Sequence, residues 1–213
     1  MSGDAAALAE LHARIRGCTA CPLSGTRTQA VPGDGPVSAR VMAVGEAPGE
    51  KEDRSGVPFV GAAGKLLTTL LEEAGIPRSD LYITNTVKCR PPGNRDPLPA
   101  EVAACAGFLD AQLDLIAPDA VLLLGRHATA RLLPDAGPIG RIHGQPVTAR
   151  GRTWVPLYHP AAALYNGGLR GTLEADMRGV RGHLDDVDAE RRLEAWRQST
   201  AAAAGGQQAS HPG

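Results

Sequence analysis

The sequence predicts an α/β fold in which helices cover both faces of a parallel β-sheet. Short apolar runs alternate with segments of helical periodicity, which is the pattern of successive βαβ units. The run at 120–125, AVLLLG, is so apolar that it is typical of a strand buried on both faces. Polar loops follow the runs, and ligands of such sheets bind beside the carboxyl ends of the strands. A functional site is therefore expected along that edge.

Four strands and their helices can be placed along the chain. Strands are predicted at residues 39–44, 81–84, 120–125 and 153–158, and helices at residues 1–16, 62–74, 99–116 and 126–133. The helix at 62–74 places Leu66, Leu67, Leu70 and Leu71 on one face, and Gly75 is its stop signal.

Length and composition restrict the class of protein. The chain has 213 residues, of which 43% are apolar, and this suffices for one domain with a sizeable core. No apolar run approaches the ~20 residues that span a bilayer, and the N-terminus lacks a signal-peptide core. We therefore expect a cytoplasmic protein with no membrane partner, and a monomer. Residues 1–185 are predicted to form the domain, and residues 186–213 a C-terminal helix with a disordered tail.

The formal net charge is only −1, but positive charge is concentrated locally. Residues 136–173 contain no Asp or Glu and hold the basic side chains Arg141, Arg150, Arg152, Arg170, His143 and His159. Such a patch can contact phosphates even when the whole chain is neutral. The alternative is a solvated surface whose acidic partners come from elsewhere in the fold.

The four cysteines suggest a metal centre. Cys18 and Cys21 form a Cys-x-x-Cys pair, and Cys89 and Cys105 follow. In a cytoplasmic chain such a pair indicates a metal or redox site rather than a disulfide, and four thiolates satisfy zinc or an iron–sulfur cluster. The lack of a second Cys-x-x-Cys favours a cluster slightly. The alternative is a redox-active Cys18–Cys21 pair beside two core cysteines.

The loop after the first strand carries an unusual set of polar groups. Residues 45–61, GEAPGEKEDRSGVPFVG, offer backbone N–H groups, the carboxylates of Glu46 and Glu52, and the ring of Phe59. A phosphate cradle in a nucleotide-handling domain is the competing interpretation. It is the weaker one, because the loop lacks the GK[ST] of a P-loop and its acidic residues would repel phosphate.

Two further polar residues follow strand ends. Asn85 closes the second strand and can present both a donor and an acceptor to the edge of a planar ring. His159 lies just past the fourth strand, before a proline that fixes the turn. A lone histidine is usually structural, but this one shares the edge of the sheet with Asn85 and Glu46. The remaining histidines of the chain are not assigned a role, except His143.

These motifs together resemble those of family-4 uracil-DNA glycosylases. The matching segments are GEAPGEKED, VPFVGAAG, TNTVKCRPPGNRDP and YHPA, with the four-cysteine pattern, and they cover roughly residues 5–185. The resemblance implies a three-layer α/β/α sandwich with a four-stranded parallel sheet. It also implies a [4Fe–4S] cluster on Cys18, Cys21, Cys89 and Cys105, and uracil-containing DNA, single- or double-stranded, as partner. The implied reaction hydrolyses the N-glycosidic bond of deoxyuridine and leaves an abasic site.

The chemistry of the loop residues suits that reaction. A base must leave the helix to be attacked, so the site needs a pocket, in which Phe59 can stack on the ring. Asn85 can pair with the O4 and N3–H edge of uracil. His159 and backbone N–H groups near Glu46 are the candidate donors for the uracil anion. The resemblance places Glu52 beside C5 of uracil, where it would exclude a thymine methyl group or orient water.

Ala47 distinguishes this chain from the best-known uracil glycosylases, which carry a water-activating Asp at the equivalent place. Family 4 typically has Gly or Ala there, so Ala47 is assigned to the base-binding loop. The identity of a general base is left open.

Contacts with the rest of the DNA are expected from two segments. Arg141 and His143 belong to an RIH tripeptide, and Leu164 is the nearest apolar wedge after the His-Pro turn, because Ala163 stands where relatives often carry leucine. The tripeptide is similar to the loop by which a related family traps uracil-DNA covalently through a histidine. Covalent capture without turnover is therefore the alternative function, although the tripeptide lies elsewhere in this chain.

Overall fold

Strands and helices alternate along the chain, as the sequence predicts. The computed structural model describes the backbone of residues 3–206 and the side chains of residues 4–189. The strands are β1 (Val41–Gly45), β2 (Leu81–Asn85), β3 (Ala120–Leu124), β4 (Val147–Ala149) and β5 (Arg152–Leu157). The helices are α1 (Gly3–Arg16), α2 (Glu50–Ser55), α3 (Ala62–Glu73), α4 (Pro99–Ile116), α5 (Arg126–Leu132), α6 (Ile139–Ile142), α7 (Pro160–Tyr165) and α8 (Gly168–Gly206).

The sheet has the strand order β2-β1-β3-β5-β4. Four strands are parallel, and β4 pairs antiparallel with β5 at the edge. The α/β/α sandwich is thus confirmed, but the expected number of strands was wrong by one. β4 escaped prediction because it is only three residues long, is not fully buried and joins β5 through a tight turn. Arg150 and Gly151 both have positive φ in that turn.

Alternate residues of the strands pack on opposite faces of the sheet, which produces two cores. One core joins residues such as Ala43, Ile83 and Leu122 to leucines of α3 and to α8. The other joins their neighbours, such as Met42 and Val121, to α1, α4 and α5. This alternation follows from the period of two along a strand, and burial on both faces explains why the strands are almost entirely apolar.

The carboxyl ends of the parallel strands meet at one edge, and the site is built there. β1 ends at Gly45 and β2 at Asn85, which are paired in register. β3 leads directly into α5, and β5 leads into the His-Pro turn that opens α7.

Two short helices, α2 and α7, lie within segments expected to be loops, and α6 lies in a segment for which no element was predicted. α8 runs without a break through residue 185, where we divided the chain, so that division stays a prediction. The expected disordered tail includes residues 207–213, which lie outside the described residues. Within the described part of the chain, no helix is long and apolar enough to cross a membrane.

Candidate active site

A pocket of about 450 Å³ opens at the carboxyl edge of the sheet. Its walls come from the loop after β1, the end of β2, the segment before α4 and the start of α7. The lining residues are Glu46, Ala47, Pro48, Gly49, Glu52, Phe59, Ala63, Asn85, Pro91, Asn94, Arg95, Asp96, His159, Ala161 and Tyr165. All six residues that the sequence assigned to catalysis or base binding therefore line one cavity.

Asn85 lies on the wall of this pocket with an unsatisfied amide. Its residue is 1% exposed, and its Oδ1 is the one buried side-chain polar atom of the described residues without a hydrogen-bond partner. A buried polar atom without a partner costs on the order of 1–3 kcal/mol, which a ligand donor would recover. Gly45 permits this placement, because a Cβ there would collide with the Asn85 oxygen and the Phe59 ring.

A buried lysine fixes the backbone behind that amide. Lys88 Nζ donates to the main-chain oxygen of Asn85 at 2.7 Å, to Thr84 Oγ1 at 2.7 Å and to Gln112 Oε1 at 2.6 Å. Burial lowers the pKa of Lys88 to about 7. These three hydrogen bonds hold the backbone at the end of β2 in place, and this fixes the position from which the Asn85 side chain enters the pocket.

Phe59 is held in a strained backbone conformation. Its φ is +54°, a region that bulky residues rarely adopt outside functional sites. Glu52 keeps the loop in place, because its Oε1 accepts from the N–H groups of Val60 at 2.9 Å and Gly61 at 2.7 Å. The Phe59 ring lies 5.8 Å from the His159 ring, centroid to centroid, at an angle of 29°.

His159 is fixed as a neutral imidazole. Its Nδ1 accepts the N–H of Ala161 at 3.1 Å and so caps α7. Since Nδ1 is an acceptor, the neutral ring carries its proton on Nε2. Burial and the nearby His127 lower the pKa of His159 to about 4. Gly125 admits the side chain, because a Cβ there would lie 2.9 Å from the His159 Cβ.

Charged groups gather at the rim of the pocket. His127 Nε2 lies 3.6 Å from Glu46 Oε2 and 3.3 Å from Asp96 Oδ2. Arg126 donates to Asp96 Oδ2 at 2.6 Å and to His127 Nε2 at 3.1 Å. Burial raises the pKa of Glu46, Asp96 raises it further, and His127 and Arg126 lower it.

Of the three residues assigned to DNA contact, Leu164 and Arg141 are exposed, whereas His143 is paired with another side chain. Leu164 is 50% exposed on α7 and Tyr165 is 93% exposed at the pocket lip, whereas Ala163 is buried in the core. Arg141 is exposed on α6. His143 does not line the pocket; its Nδ1 pairs with Asp176 Oδ2 at 2.8 Å, and its ring lies 4.8 Å from that of Tyr158.

The four cysteines line a second, small cavity between α1 and α4. Three of the sulfurs accept hydrogen bonds: Cys89 Sγ from Arg27 NH1 at 2.8 Å, Cys105 Sγ from the backbone N–H of Lys88 at 3.3 Å, and Cys18 Sγ from the backbone N–H of Ala20 at 3.4 Å. Arg27 also donates to the main-chain oxygen of Cys18 at 2.8 Å, which ties the N-terminal segment to the cavity. All four are free thiols, so no disulfide uses the Cys-x-x-Cys pair.

The spacing of the sulfurs bears on what they hold. Four thiolates around one zinc ion, at Zn–S of about 2.3 Å, would lie about 3.8 Å apart. Among the described residues, only one group of three or more potential ligands has all its ligand atoms within 4.8 Å of one another, and it consists of Glu46, Asp96 and His127. No three cysteine sulfurs meet this limit. The cysteine sulfurs are therefore spread more widely than a single ion requires, which suits a larger inorganic group.

Comparisons with known proteins agree with this geometry. A family model described as the uracil DNA glycosylase superfamily matches residues 32–177. A type-4 uracil-DNA glycosylase of Sulfurisphaera tokodaii is 45% identical over 186 residues, which cover 82% of this chain and 83% of the relative. The corresponding proteins of Saccharolobus solfataricus and Thermotoga maritima are 47% and 48% identical, covering 78% and 72% of this chain and 82% and 81% of the relatives. The chain belongs to the type-4 uracil-DNA glycosylases.

Two residues of this type-4 glycosylase were not found from the sequence, namely Asp96, which lines the pocket, and His127, which lies next to it. His127 was not assigned a role, and Asp96 was not singled out within PPGNRDP. A signal for His127 was present, because it lies three residues after β3 at the same edge as Asn85 and His159. No comparable signal marks Asp96, since its position depends on the course of the loop before α4.

Proposed function

We propose that this glycosylase flips deoxyuridine out of DNA, hydrolyses its N-glycosidic bond, releases uracil and leaves an abasic site. The observation that carries the proposal is the unpartnered Oδ1 of Asn85, buried in a pocket lined by an aromatic ring and a neutral histidine. Family membership supports the same reaction.

Base selection is assigned to Asn85 and Phe59. The Asn85 Oδ1 accepts the N3–H of uracil while the amide NH₂ donates to O4, a pattern that cytosine does not match. Phe59 stacks on the ring, and Ala47 lines the loop beside it. Glu52 faces the base edge near C5 and excludes thymine, a role supported by its place on the wall and its rigid anchoring to residues 60 and 61.

Departure of the base is assigned to His159. When the C1′–N1 bond breaks, its electron pair stays on uracil and negative charge develops on O2. The Nε2–H of a neutral His159 stabilises that charge, as does the backbone N–H after Glu46. A neutral donor suits this task, because its proton stays on the histidine and charge is spread through the hydrogen bond.

The attacking water is assigned to Glu46. The water oxygen bonds to C1′ of the oxocarbenium-like sugar, and the carboxylate accepts the proton that the water releases. Ala47 offers no carboxylate, Asp96 is paired with Arg126, and Glu52, whose Oε1 accepts two N–H groups, is already assigned to the base edge. Glu46 has no hydrogen bond of this kind among the described residues.

Binding of the surrounding DNA, single- or double-stranded, is assigned to the basic segment and to α7. Arg141 and His143 contact phosphates, and Leu164 fills the gap that the flipped base leaves in a duplex. The exposure of Arg141 and Leu164 supports these roles.

The cysteine cavity is proposed to hold a [4Fe–4S] cluster on Cys18, Cys21, Cys89 and Cys105. The wide sulfur spacing, the N–H donors to sulfur and the cationic Arg27 support this choice over zinc. Such a cluster supplies structural cross-linking of the N-terminal segment to β2 and α4, and it takes no part in glycosidic cleavage.

The test is incubation with single-stranded and duplex oligonucleotides that carry one uracil, followed by alkali and gel electrophoresis. Many turnovers with free uracil and alkali-labile strands are expected. A stoichiometric adduct that survives denaturant would instead favour covalent capture, and binding of nucleotides without cleavage would favour a nucleotide-handling domain. The matched oligonucleotide with thymine at the same position is the control and should stay intact.

A further inference from the structure

Tyr165 differs from every other Phe, Tyr or Trp among the described side chains in how little the protein covers it. It is 93% exposed at the end of α7, whereas the others are buried or half-buried. Its ring and hydroxyl make no hydrogen bond or ring contact with a described residue. Single exposed apolar side chains are common on protein surfaces, so the meaning of this one depends on where it lies. It lies on the lip of the pocket.

The backbone that carries Tyr165 is held in place although its ring is free. Pro160 and Ala163 of α7 are buried, and the helix packs against α3 and α8. The N–H of Asn166 closes the last turn on the main-chain oxygen of Ala162 at 2.9 Å. The ring is therefore presented from a fixed point of the lip, and a ligand that binds it does not have to order the helix first.

The surface around Tyr165 suits a nucleobase better than a phosphate. Residues 160–169, PAAALYNGGL, contain no charged side chain. A Cβ on Gly167 would meet no atom within 4 Å, so the turn that follows α7 is open to solvent there. A phosphate is bound by cationic side chains or N–H groups, whereas a base binds to a flat aromatic face. An uncharged lip that carries one free ring therefore favours stacking.

Phe59 and Tyr165 lie at different depths of the same pocket. Phe59 is 7% exposed and is assigned to the flipped uracil, whereas Tyr165 lies at the mouth, where the nucleotides beside that uracil must pass. In a single strand the faces of these neighbouring bases are free. In a duplex they are covered by adjacent base pairs, and the gap itself is assigned to Leu164. Leu164 and Tyr165 are consecutive helical residues, so their side chains point about 100° apart and do not fill the same gap.

We propose that Tyr165 forms a second base-binding site, in which its ring stacks on a nucleobase next to the flipped uracil in single-stranded DNA. This inference rests on the proposed function and adds to it a subsite outside the uracil pocket. Stacking on an aromatic ring accepts every base, because each base has a flat π-face. The subsite therefore raises affinity for single strands without requiring a fixed neighbouring sequence.

The experiment measures the affinity of the full-length protein for oligonucleotides that carry one 2′-fluoro-deoxyuridine, whose fluorine destabilises the oxocarbenium-like sugar and so prevents cleavage. In Tyr165→Ala, we expect the Kd for the single strand to rise about tenfold, as for the loss of one stacked base, and the Kd for the U·A duplex to change less than about twofold. Tyr165→Phe should bind like the wild type, and Tyr165→Leu, which is apolar but not aromatic, should be weakened. The rate of uracil release at saturating single-stranded substrate should not change.

Removal of the neighbouring base links this effect to stacking. An abasic spacer directly 5′ or directly 3′ of the uracil should lower the affinity of the wild type to that of Tyr165→Ala and should weaken the variant little further. A spacer placed well away from the uracil should affect both proteins equally. Leu98→Ala is the matched control, because it removes an exposed apolar side chain that does not line the pocket. Thermal stability should be the same for all variants.

The inference fails if Tyr165→Ala binds single strands as the wild type does, or weakens single-strand and duplex binding equally. It also fails if Tyr165→Leu binds like the wild type, or if spacers on both sides of the uracil weaken the two proteins to the same extent. Because the binding assay needs no cleavage, absence of uracil release from the wild type would refute the proposed function and would leave this test in force.

Discussion

Asn85 and Cys89 lie four residues apart, yet the sites that they serve are built in opposite ways. In the pocket, the buried Oδ1 of Asn85 has no partner. In the cysteine cavity, the sulfurs of Cys89 and Cys105 already receive N–H groups from Arg27 and Lys88. This difference is expected between a pocket that binds an exchangeable ligand, which satisfies the free polar atom, and the proposed site of a resident group, whose ligands are held by hydrogen bonds beforehand.

Lys88 is the residue between the two sites, and it serves each with a different atom. Its backbone N–H points to Cys105, and its Nζ holds the main-chain oxygen of Asn85. The fully buried amine is costly by itself, but three acceptors within 2.7 Å compensate it. The comparison predicts that substitutions in the cysteine cavity mainly reduce folding, whereas substitutions in the pocket mainly reduce the rate of uracil release.

The largest expected effect is on folding, from Cys89→Ala. Because binding of a structural metal group is part of the folding free energy, loss of one ligand should remove most soluble protein and most iron. The measurement is soluble yield and iron per chain, where the wild type purified without oxygen should hold about four iron atoms.

Ser24→Ala is the control, since Ser24 lines the same cavity without offering a sulfur. Any soluble Cys89→Ala protein should still discriminate uracil from thymine. A soluble yield of Cys89→Ala equal to that of the wild type would contradict a structural role for the cysteine cavity. Stoichiometric zinc and no iron in the wild type would contradict the cluster.

Asn85→Asp should have the next largest effect, and on chemistry alone. The change replaces a donor and acceptor with a carboxylate that only accepts, so the O4 of uracil would face a negative charge. We expect uracil release to fall about 10³-fold or more, in line with the loss of a buried hydrogen-bond pair, and weak release of cytosine to appear.

The readout for Asn85→Asp is single-turnover release of both bases, beside thermal stability. Asn166→Asp is the matched control, because its Oδ1 accepts from Gly168 and an aspartate can do the same. Undiminished uracil release by Asn85→Asp would show that Asn85 does not read the base.

His159 is expected to leave a signature in the pH dependence of stability. Its pKa is about 4 in the folded protein and about 6.5 when unfolded, so the unfolded chain binds more protons between these values. The contribution to unfolding free energy is therefore full above about pH 6.5 and is lost as the pH falls toward 4. By about pH 4.5 the loss amounts to about 2.5 kcal/mol.

Urea denaturation of the wild type and of His159→Asn measures this difference. Asparagine can still accept the Ala161 N–H and cap α7, so the comparison isolates the imidazole. The wild type should lose more stability than the variant as the pH falls. Parallel pH profiles would mean that His159 has the same pKa in the folded and unfolded states, so that burial does not hold the imidazole neutral below about pH 6.5.

The difference between these sites also explains what the sequence could predict. Asn85 and His159 were found because each follows an apolar run, and carboxyl ends of parallel strands converge whatever the details of the loops. The cysteines were found by spacing. β4 was missed because three half-exposed residues carry no periodic signal. Asp96 was missed because its approach to His127 depends on the path of a loop, which side-chain pattern does not encode.

Ala163 shows that the same limit on prediction from sequence applies to the direction of a single side chain. Counting from His159 makes it the expected wedge position, but one turn of α7 carries its Cβ into the core beneath the sheet edge. Leucine there would overpack the core, at a cost of about 1–3 kcal/mol, so Ala163→Leu would test packing and not DNA contact. The exposed neighbour Leu164 is the residue to change.

The smallest expected effect is that of Leu164→Ala, and it depends on the form of the DNA. Flipping a base from a paired duplex costs a few kcal/mol of unstacking, and least in a mismatch or single strand. A side chain that fills the gap recovers part of this cost only in the duplex. We therefore expect release from U·A duplex to fall about fivefold, from U·G mismatches less, and from single strands hardly at all.

Leu98→Ala is the matched control, because Leu98 is equally exposed, 52% against 50%, and does not line the pocket. An equal fall in uracil release from duplex and single strands would assign Leu164 to general DNA contact. Leu164 would then not be the side chain that fills the gap left by the flipped base.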